Sequence, residues 1–202
     1  MIDGVAKRII NPMLERIAAG LVRIGVTPDY MTWLGFVLGL GAAAAISGGA
    51  LLAGAMLILA SRLCDGLDGA VARQSRGSDF GGYLDIVLDF AFYGVVPLAF
   101  AILNPAANAL PALVLLLSFY VNGASFLAFA TLAEKRSLSS DARGPKAFYF
   151  TTGLAEAGET LAVFVAACLF PGWFAVLAYG FAAVCFMTTA SRIALARRMF
   201  RD

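Results

Sequence analysis

Most of this chain consists of long apolar segments, each about as long as a helix that crosses a membrane. Six of them are separated by short breaks, at roughly 31–47, 51–73, 80–103, 109–133, 147–170 and 173–196. A helix of about 20 residues crosses the roughly 30 Å hydrocarbon core of a bilayer. The chain is 61% hydrophobic, far above a soluble domain. We therefore expect an all-α integral membrane protein, with six transmembrane helices in a single domain over residues 1–202.

The first 29 residues have a different pattern. Apolar residues recur at helical spacing at positions 10, 13, 14, 17 and 21, and basic residues lie between them. Such a pattern is typical of an amphipathic helix in the membrane interface, and we predict one over residues 1–29. A helix packed on the rest of the protein is the alternative interpretation.

The basic residues indicate the orientation. All 15 lysines and arginines lie at the termini, in the loops after the second and fourth spans, or in the span segments that lead there. The loops after the first, third and fifth spans carry no charge. Because positive charge accumulates in cytoplasmic loops, both termini and the 74–79 loop are predicted to be cytoplasmic. The expected location is a bacterial inner membrane.

Four aspartates stand at the edges of apolar segments. Asp65 and Asp68 share one helical face with Gly69 and Ala72, and Asp85 and Asp89 share one with Gly81. The loop between the two helices is short, so they are expected to be antiparallel neighbours whose acidic faces meet. Left uncompensated in a bilayer, four carboxylates would cost roughly 10–14 kcal/mol.

We expect divalent cations to compensate the negative charge of the four carboxylates. The chain has no histidine, and carboxylate oxygens alone suit Mg²⁺, Mn²⁺ or Ca²⁺. Two such cations commonly assist displacement at phosphorus. Arg73, at the cytoplasmic end of the same helix, suits a diphosphate. Aspartates paired with arginines at helix ends, or a small cation transporter, are the alternatives, although no internal repeat supports a transporter.

The pattern Asp65-x-x-Asp68-Gly69-x-x-Ala72-Arg73, followed by Gly81-x-x-x-Asp85-x-x-x-Asp89, resembles the signature of the CDP-alcohol phosphotransferase family. Members transfer a substituted phosphate from a CDP-linked donor to an alcohol and release CMP. The resemblance implies two metals, Mg²⁺ or Mn²⁺, held by the four aspartates, and it implies that Asp89 is the base for the acceptor hydroxyl. It also implies a homodimer. The residues that it places near the nucleotide and diphosphate are Thr32, Gly69, Ala72, Arg73 and Gly81. Asp29 stands where an asparagine is common.

The length of the chain is similar to that of members that use CDP-diacylglycerol and a small polar alcohol. Membrane lipid is therefore an expected partner and nucleic acid is not. Lys146 and Arg192 are basic candidates for the acceptor site, and Arg192 is the better placed. Glu156 and Glu159 share a helical face and would repel a phosphate, unless they pair with Arg62 instead. We expect an uncharged polyol or an amino alcohol as acceptor, with glycerol 3-phosphate or an inositol phosphate as the alternative.

Overall fold

The computed structural model describes residues 2–75, 77–136 and 157–200, and all regular secondary structure in these ranges is helical. Within these ranges seven α-helices follow one another, with a 3₁₀ turn at Pro171–Trp173 before the last. Their bounds are α1 Ile2–Arg23, α2 Pro28–Ser47, α3 Leu51–Gln74, α4 Asp79–Leu103, α5 Pro105–Lys135, α6 Ala157–Leu169 and α7 Phe174–Met199.

Local chemistry at the helix starts explains where these helices begin. Thr27 caps α2, because its side chain accepts a hydrogen bond from the Tyr30 amide, and Pro28 occupies the first turn. Ser78 caps α4 in the same way by accepting from the Gly81 amide. Asn104 caps α5 by accepting from the Ala107 amide. The helix bounds therefore lie close to those that the apolar segments predict.

Four of the described helical stretches are long and apolar enough to cross a membrane: α2, α4, α5 and Pro171–Met199. This confirms an all-helical integral membrane protein. The helix α3 has 24 residues but carries Arg62, Asp65, Asp68 and Arg73, and it is not among these four. The predicted fifth span, 147–170, lies partly outside the described residues, and its described part is the shorter apolar helix α6. The count of six spans therefore stays a prediction.

Helix α2 packs against both α3 and α4. Two glycines of α2 allow these helices to approach it closely. A Cβ on Gly35 would lie 3.2 Å from the Cys64 Cβ and from the Ser61 carbonyl oxygen. A Cβ on Gly39 would lie 2.6 Å from Cδ2 of the Phe92 ring. The small-residue face of α2 is therefore used inside the protomer, where it lets α3 and α4 approach the same helix.

Helix α1 packs against the start of α2 and the polar half of α3. Leu14 and Ala18 are buried in a cluster with Met31, Leu67 and Val71. This agrees with the interpretation that the first helix packs on the rest of the protein. Its position in a membrane interface stays a prediction.

Candidate metal centre

The structure brings the four aspartates together. Asp65 and Asp68 project from α3, and Asp85 and Asp89 project from α4, into one cavity. Its other lining residues are Thr32, Gly35, Phe36, Arg62 and Leu88. The two acidic faces meet because the loop between α3 and α4 is short and α2 packs against both helices.

Three of the four carboxylates converge most closely. Asp65, Asp68 and Asp85 each offer one oxygen, and these oxygens lie within 4.8 Å of one another. A set of oxygen donors without nitrogen or sulfur fits a hard divalent cation such as Mg²⁺ or Mn²⁺. The donor set therefore fits the divalent cations that the sequence predicts.

Asp68 is the most buried of the four, with 6% of its surface exposed. The Thr32 hydroxyl is 2.8 Å from Asp68 Oδ2 and 3.1 Å from the Pro28 carbonyl oxygen, so it can donate to either. A hydrogen bond to a charged group contributes about 1.5–3 kcal/mol. Thr32, predicted as a nucleotide contact, thus lies where it orients Asp68.

Asp89 is held by Arg62 rather than by the group of three. The Arg62 Nη1 donates to Asp89 Oδ1 at 2.6 Å and to Asp65 Oδ1 at 3.2 Å. Among the described residues, Arg62 forms ion pairs with these two aspartates, and the pairing with a glutamate that the sequence offers as an alternative stays a prediction, since Glu156 lies outside the described residues. The i, i+3 spacing of Arg62 and Asp65 was the available signal for one of them.

Gly81 lies at the start of α4 against the first turn of α2. A Cβ on residue 81 would be 2.8 Å from Asp29 Oδ1 and 3.2 Å from Ser78 Oγ. Only glycine therefore fits here without movement of these neighbours. Gly81, which is predicted to contact the nucleotide, thus lies close to Asp29 and to the cap of α4.

Arg73 lies at the exposed end of α3 and is bonded to α1. Its Nε and Nη2 donate to Glu15 Oε1 at 3.0 and 2.9 Å. Gln74 Nε2 also donates to Glu15 Oε2, at 2.8 Å. The bonds from Gln74 and Arg73 both lower the pKa of Glu15, and the bond from Gln74 has the larger effect. Sequence reasoning missed Glu15, because a contact between residues 58 positions apart leaves no local signal. Gly69 and Ala72 are half-buried on the same helix.

Arg192 is buried between α7 and α5, with 6% of its surface exposed. Its Nη1 donates to the Asn122 carbonyl oxygen at 3.0 Å, to Asn122 Oδ1 at 2.9 Å and to Ser125 Oγ at 2.6 Å. These partners are neutral, and no carboxylate pairs with Arg192 among the residues that the structure describes. Gly123, beside Asn122, packs against the ring of Phe90, the neighbour of Asp89. Arg192 therefore lies near the membrane depth of Asp89.

The remaining predicted acceptor residues are described only in part. Glu159 is half-buried in the first turn of α6. Lys146 and Glu156 lie outside the described residues.

The fold and the site together define an integral membrane protein with a carboxylate centre for divalent cations, at the meeting of three helices. Residues 25–190 match the family model described as CDP-alcohol phosphatidyltransferase. The chain belongs to this family, as its aspartate signature predicts.

One relative extends the match over nearly all of the chain. The inner membrane protein YnjF of Escherichia coli is 45% identical over 193 residues, which cover 96% of this chain and 94% of that protein. The phosphatidylinositol phosphate synthase of Mycobacterium tuberculosis is 43% identical over 91 residues, which are 44% of this chain and 40% of that enzyme.

Two crystal structures of phosphatidylinositol phosphate synthase from Mycobacterium tuberculosis share the fold. One, in complex with manganese and citrate, has a TM-score of 0.70 at 26% identity and covers 90% of this chain and 87% of that one. The other, with CDP-DAG bound, has a TM-score of 0.65 at 26% identity and covers 92% and 94%. The expected divalent-cation cofactor agrees with the first of these structures and with the aspartate cluster.

Proposed function

We propose that this protein is a CDP-diacylglycerol:alcohol phosphatidyltransferase, which transfers the phosphatidyl group to a small polar alcohol and releases CMP. The observation that carries the proposal is the convergence of Asp65, Asp68 and Asp85 with Asp89 in one cavity, on the signature of the family. The homologous structure with CDP-DAG bound supports the choice of donor.

The four aspartates are proposed to hold two divalent cations, Mg²⁺ or Mn²⁺. When bound, such cations supply positive charge that stabilises the phosphate oxygens and the leaving CMP. Thr32 supports this role, since its hydroxyl can hold Asp68 in one orientation.

Asp89 is proposed to be the general base. It accepts the proton of the acceptor hydroxyl, the oxygen then forms a bond to the phosphorus that carries the lipid, and the bond from that phosphorus to CMP breaks. Arg62 engages Asp89 Oδ1, which leaves Oδ2 for this proton.

The donor's nucleotide and diphosphate are proposed to lie along α3 and the start of α4, near Thr32, Gly69, Ala72, Arg73 and Gly81. Gly81 lies close to the Asp29 carboxylate, so any larger residue here would disturb the junction of α2 and α4 that this site would use. For Arg73 to reach a diphosphate it must share or release Glu15, because both of its bonded nitrogens now donate to that carboxylate.

The proposed topology has six spans, with both termini and the active site facing the cytoplasm of a bacterial inner membrane. The distribution of basic residues supports this orientation. A homodimer is also proposed from the family resemblance. Since α2 uses its glycine face internally, a different face would have to form the dimer contact.

Two classes of acceptor are candidates. Glu156 and Glu159 favour an uncharged polyol or an amino alcohol, because a second acidic pair would repel a phosphate. Arg192 favours a phosphorylated alcohol, because it is buried near the depth of Asp89 and bonded only to neutral partners among the described residues. The phosphatidylinositol phosphate synthase relative also favours it, although the matched segment is less than half of this chain.

An acceptor panel tests the proposal. CMP release from CDP-diacylglycerol is measured with glycerol, inositol, serine, glycerol 3-phosphate and inositol 1-phosphate, with Mg²⁺ or Mn²⁺. We expect release that depends on both lipid donor and alcohol, and Arg192→Met is expected to impair only phosphorylated acceptors. The absence of CMP release with every alcohol would contradict the proposal and favour a role such as cation transport.

A further inference from the structure

We propose that Arg62 is a positioning residue of this site: it holds Asp89 in place and competes with a divalent cation for the same carboxylate. As a consequence the cluster binds two cations with unequal affinity, and Arg62 sets the affinity of the weaker one. The inference deepens the proposed function, since it concerns the residues to which that function assigns metal binding and proton transfer.

Arg62 connects the two acidic helices. It lies one turn from Asp65 on α3, and its Nη1 donates both to Asp65 Oδ1 and, across to α4, to Asp89 Oδ1 at 2.6 Å. Charge-assisted hydrogen bonds of this length are about twice as strong as neutral ones. Asp89 is therefore restrained in one orientation by a residue outside the family signature.

The guanidinium is itself restrained on its other sides. Its carbon lies 3.9 Å from the centroid of the Phe92 ring, a distance typical of a cation–π contact. Its Nη2 is 3.3 Å from Ser61 Oγ, and Ser61 is fully buried and donates to the Gly35 carbonyl at 2.7 Å. Only 12% of the Arg62 side chain is exposed. Lysine could not reproduce this arrangement, because it lacks the planar group that stacks on Phe92.

Asp89 is the carboxylate that Arg62 holds most closely, at 2.6 Å against 3.2 Å for Asp65. Asp65, Asp68 and Asp85 already place three oxygens within 4.8 Å of one another, and Asp89 is not in that group. The group of three can therefore hold a cation without loss of the bond between Arg62 and Asp89, and only the longer bond of Arg62 to Asp65, at 3.2 Å, is shared with it. Asp89 can contribute Oδ2 to a second cation, but that cation has to share the negative charge of one carboxylate with the guanidinium, and two positive charges close together repel each other.

Titration of the purified protein with Mn²⁺ tests this, with free Mn²⁺ followed by electron paramagnetic resonance. The wild type is expected to bind two Mn²⁺ with unequal affinity. In Arg62→Met the weaker Mn²⁺ is expected to bind about tenfold more tightly or better, the factor that loss of one competing charge-assisted bond corresponds to. Arg198→Met, which removes an exposed arginine of α7, is the matched control and is expected to leave both affinities unchanged.

A double variant separates competition from a general charge effect. If Arg62 acts mainly through Asp89, Arg62→Met is expected to tighten Mn²⁺ binding much less in an Asp89→Asn background than in wild type, because only the longer bond to Asp65, at 3.2 Å, is then lost. If the tightening is as large there as in wild type, Arg62 acts on the group of three rather than through Asp89, and the proposal is overturned. It is equally overturned if Arg62→Met alone leaves the weaker affinity unchanged or reduces it.

Thermal stability provides a second measurement. Without Arg62 the four carboxylates lose their internal positive charge, so Arg62→Met is expected to melt at a lower temperature than wild type in EDTA and to gain more from Mn²⁺. If Arg62→Met does not fold, Arg62→Lys replaces it, with a smaller tightening expected. Unequal Mn²⁺ binding that responds to Arg62, without any CMP release, would contradict the proposed function alone; CMP release with Mn²⁺ binding insensitive to Arg62 would contradict this inference alone.

Discussion

At the scale of single residues, the four aspartates differ in what holds them. Asp68 accepts from the Thr32 hydroxyl, Asp89 accepts from Arg62, and Asp65 shares the same guanidinium. A carboxylate with a fixed orientation loses less conformational freedom when it binds a cation, so Thr32 is expected to contribute to affinity without touching the metal, whereas the positive charge of Arg62 opposes a cation at the carboxylates that it holds.

The aspartates themselves are the first target. Asp65→Asn, Asp68→Asn, Asp85→Asn and Asp89→Asn are each expected to reduce CMP release to background, because an amide loses the negative charge that a hard cation requires. The measurement is CMP release from protein with wild-type membrane insertion. Asp79→Asn, an exposed residue in the first turn of α4, is the control and is expected to remain active. Full wild-type activity in EDTA would refute the metal-dependent mechanism.

Thr32 distinguishes two roles. If it orients Asp68, Thr32→Val is expected to weaken Mn²⁺ binding by about 10- to 100-fold, the usual effect of losing a residue that supports a ligand. Thr32→Ser keeps the hydroxyl and is expected to bind as wild type. A raised KM for CDP-diacylglycerol with unchanged Mn²⁺ affinity would show that Thr32 serves the nucleotide instead.

At the scale of helices, α2 sets the shape of the site, since it contacts both helices that carry aspartates. Its glycines allow that contact at Gly35 and Gly39, and the ring that Gly39 faces is the one that supports Arg62. Packing of α2 is therefore coupled to the position of the guanidinium.

A pair of glycine substitutions tests this coupling. Gly39→Ala is expected to destabilise the protein by about 1–3 kcal/mol, because the new Cβ must displace the buried Phe92 ring. Gly41→Ala, in the same helix, meets its nearest neighbour at an ordinary 3.7 Å and is expected to be neutral or slightly stabilising. Melting temperatures in detergent measure both, and equal stability of the two variants would contradict the packing argument.

Helix α1 is coupled to the end of α3 by Glu15. Because the pKa of Glu15 is lowered in the folded protein, its contacts stabilise α1 above its unfolded pKa and are lost as the pH falls through the lowered value. Glu15→Gln at neutral pH is expected to loosen α1 in the same way and to free Arg73. The measurement is amide hydrogen exchange over residues 11–23. Unchanged exchange in the variant would show that the apolar contacts of Leu14 and Ala18 suffice.

At the scale of the whole molecule, the proposed chemistry requires one particular orientation in the membrane. A site that uses a lipid donor and a soluble alcohol has to open to the compartment that supplies the alcohol. An even number of spans would place both termini on one side, and the distribution of basic residues predicts that this is the cytoplasmic side.

Single cysteines test the orientation. The native cysteines, Cys64, Cys168 and Cys185, are all buried, so they are expected to give a low background. Gly172→Cys, between α6 and α7, is expected to react with a membrane-impermeant maleimide added to intact cells. Arg198→Cys is expected to react only after the cells are opened. Labelling of both from the outside would refute cytoplasmic termini.

The sequence by itself determined the helices, the family and the aspartate set. Helix hydrogen bonds are local, apolar segments of membrane length are readable along the chain, and spacings of three and four residues place Asp65 with Asp68 and Asp85 with Asp89. The sequence is a weaker guide to the number of spans. The charged residues that α3 contributes to the site also exclude it from the described helices that are long and apolar enough to cross a membrane.

Only the tertiary structure decided how these parts meet. The bond between Arg62 and Asp89 crosses from α3 to α4, Glu15 and Arg73 join residues far apart in the chain, and Gly39 is defined by the Phe92 ring that it faces. Such contacts depend on the rotation and closeness of neighbouring helices. These are set by side-chain packing over the whole bundle, and no local pattern in the chain encodes them.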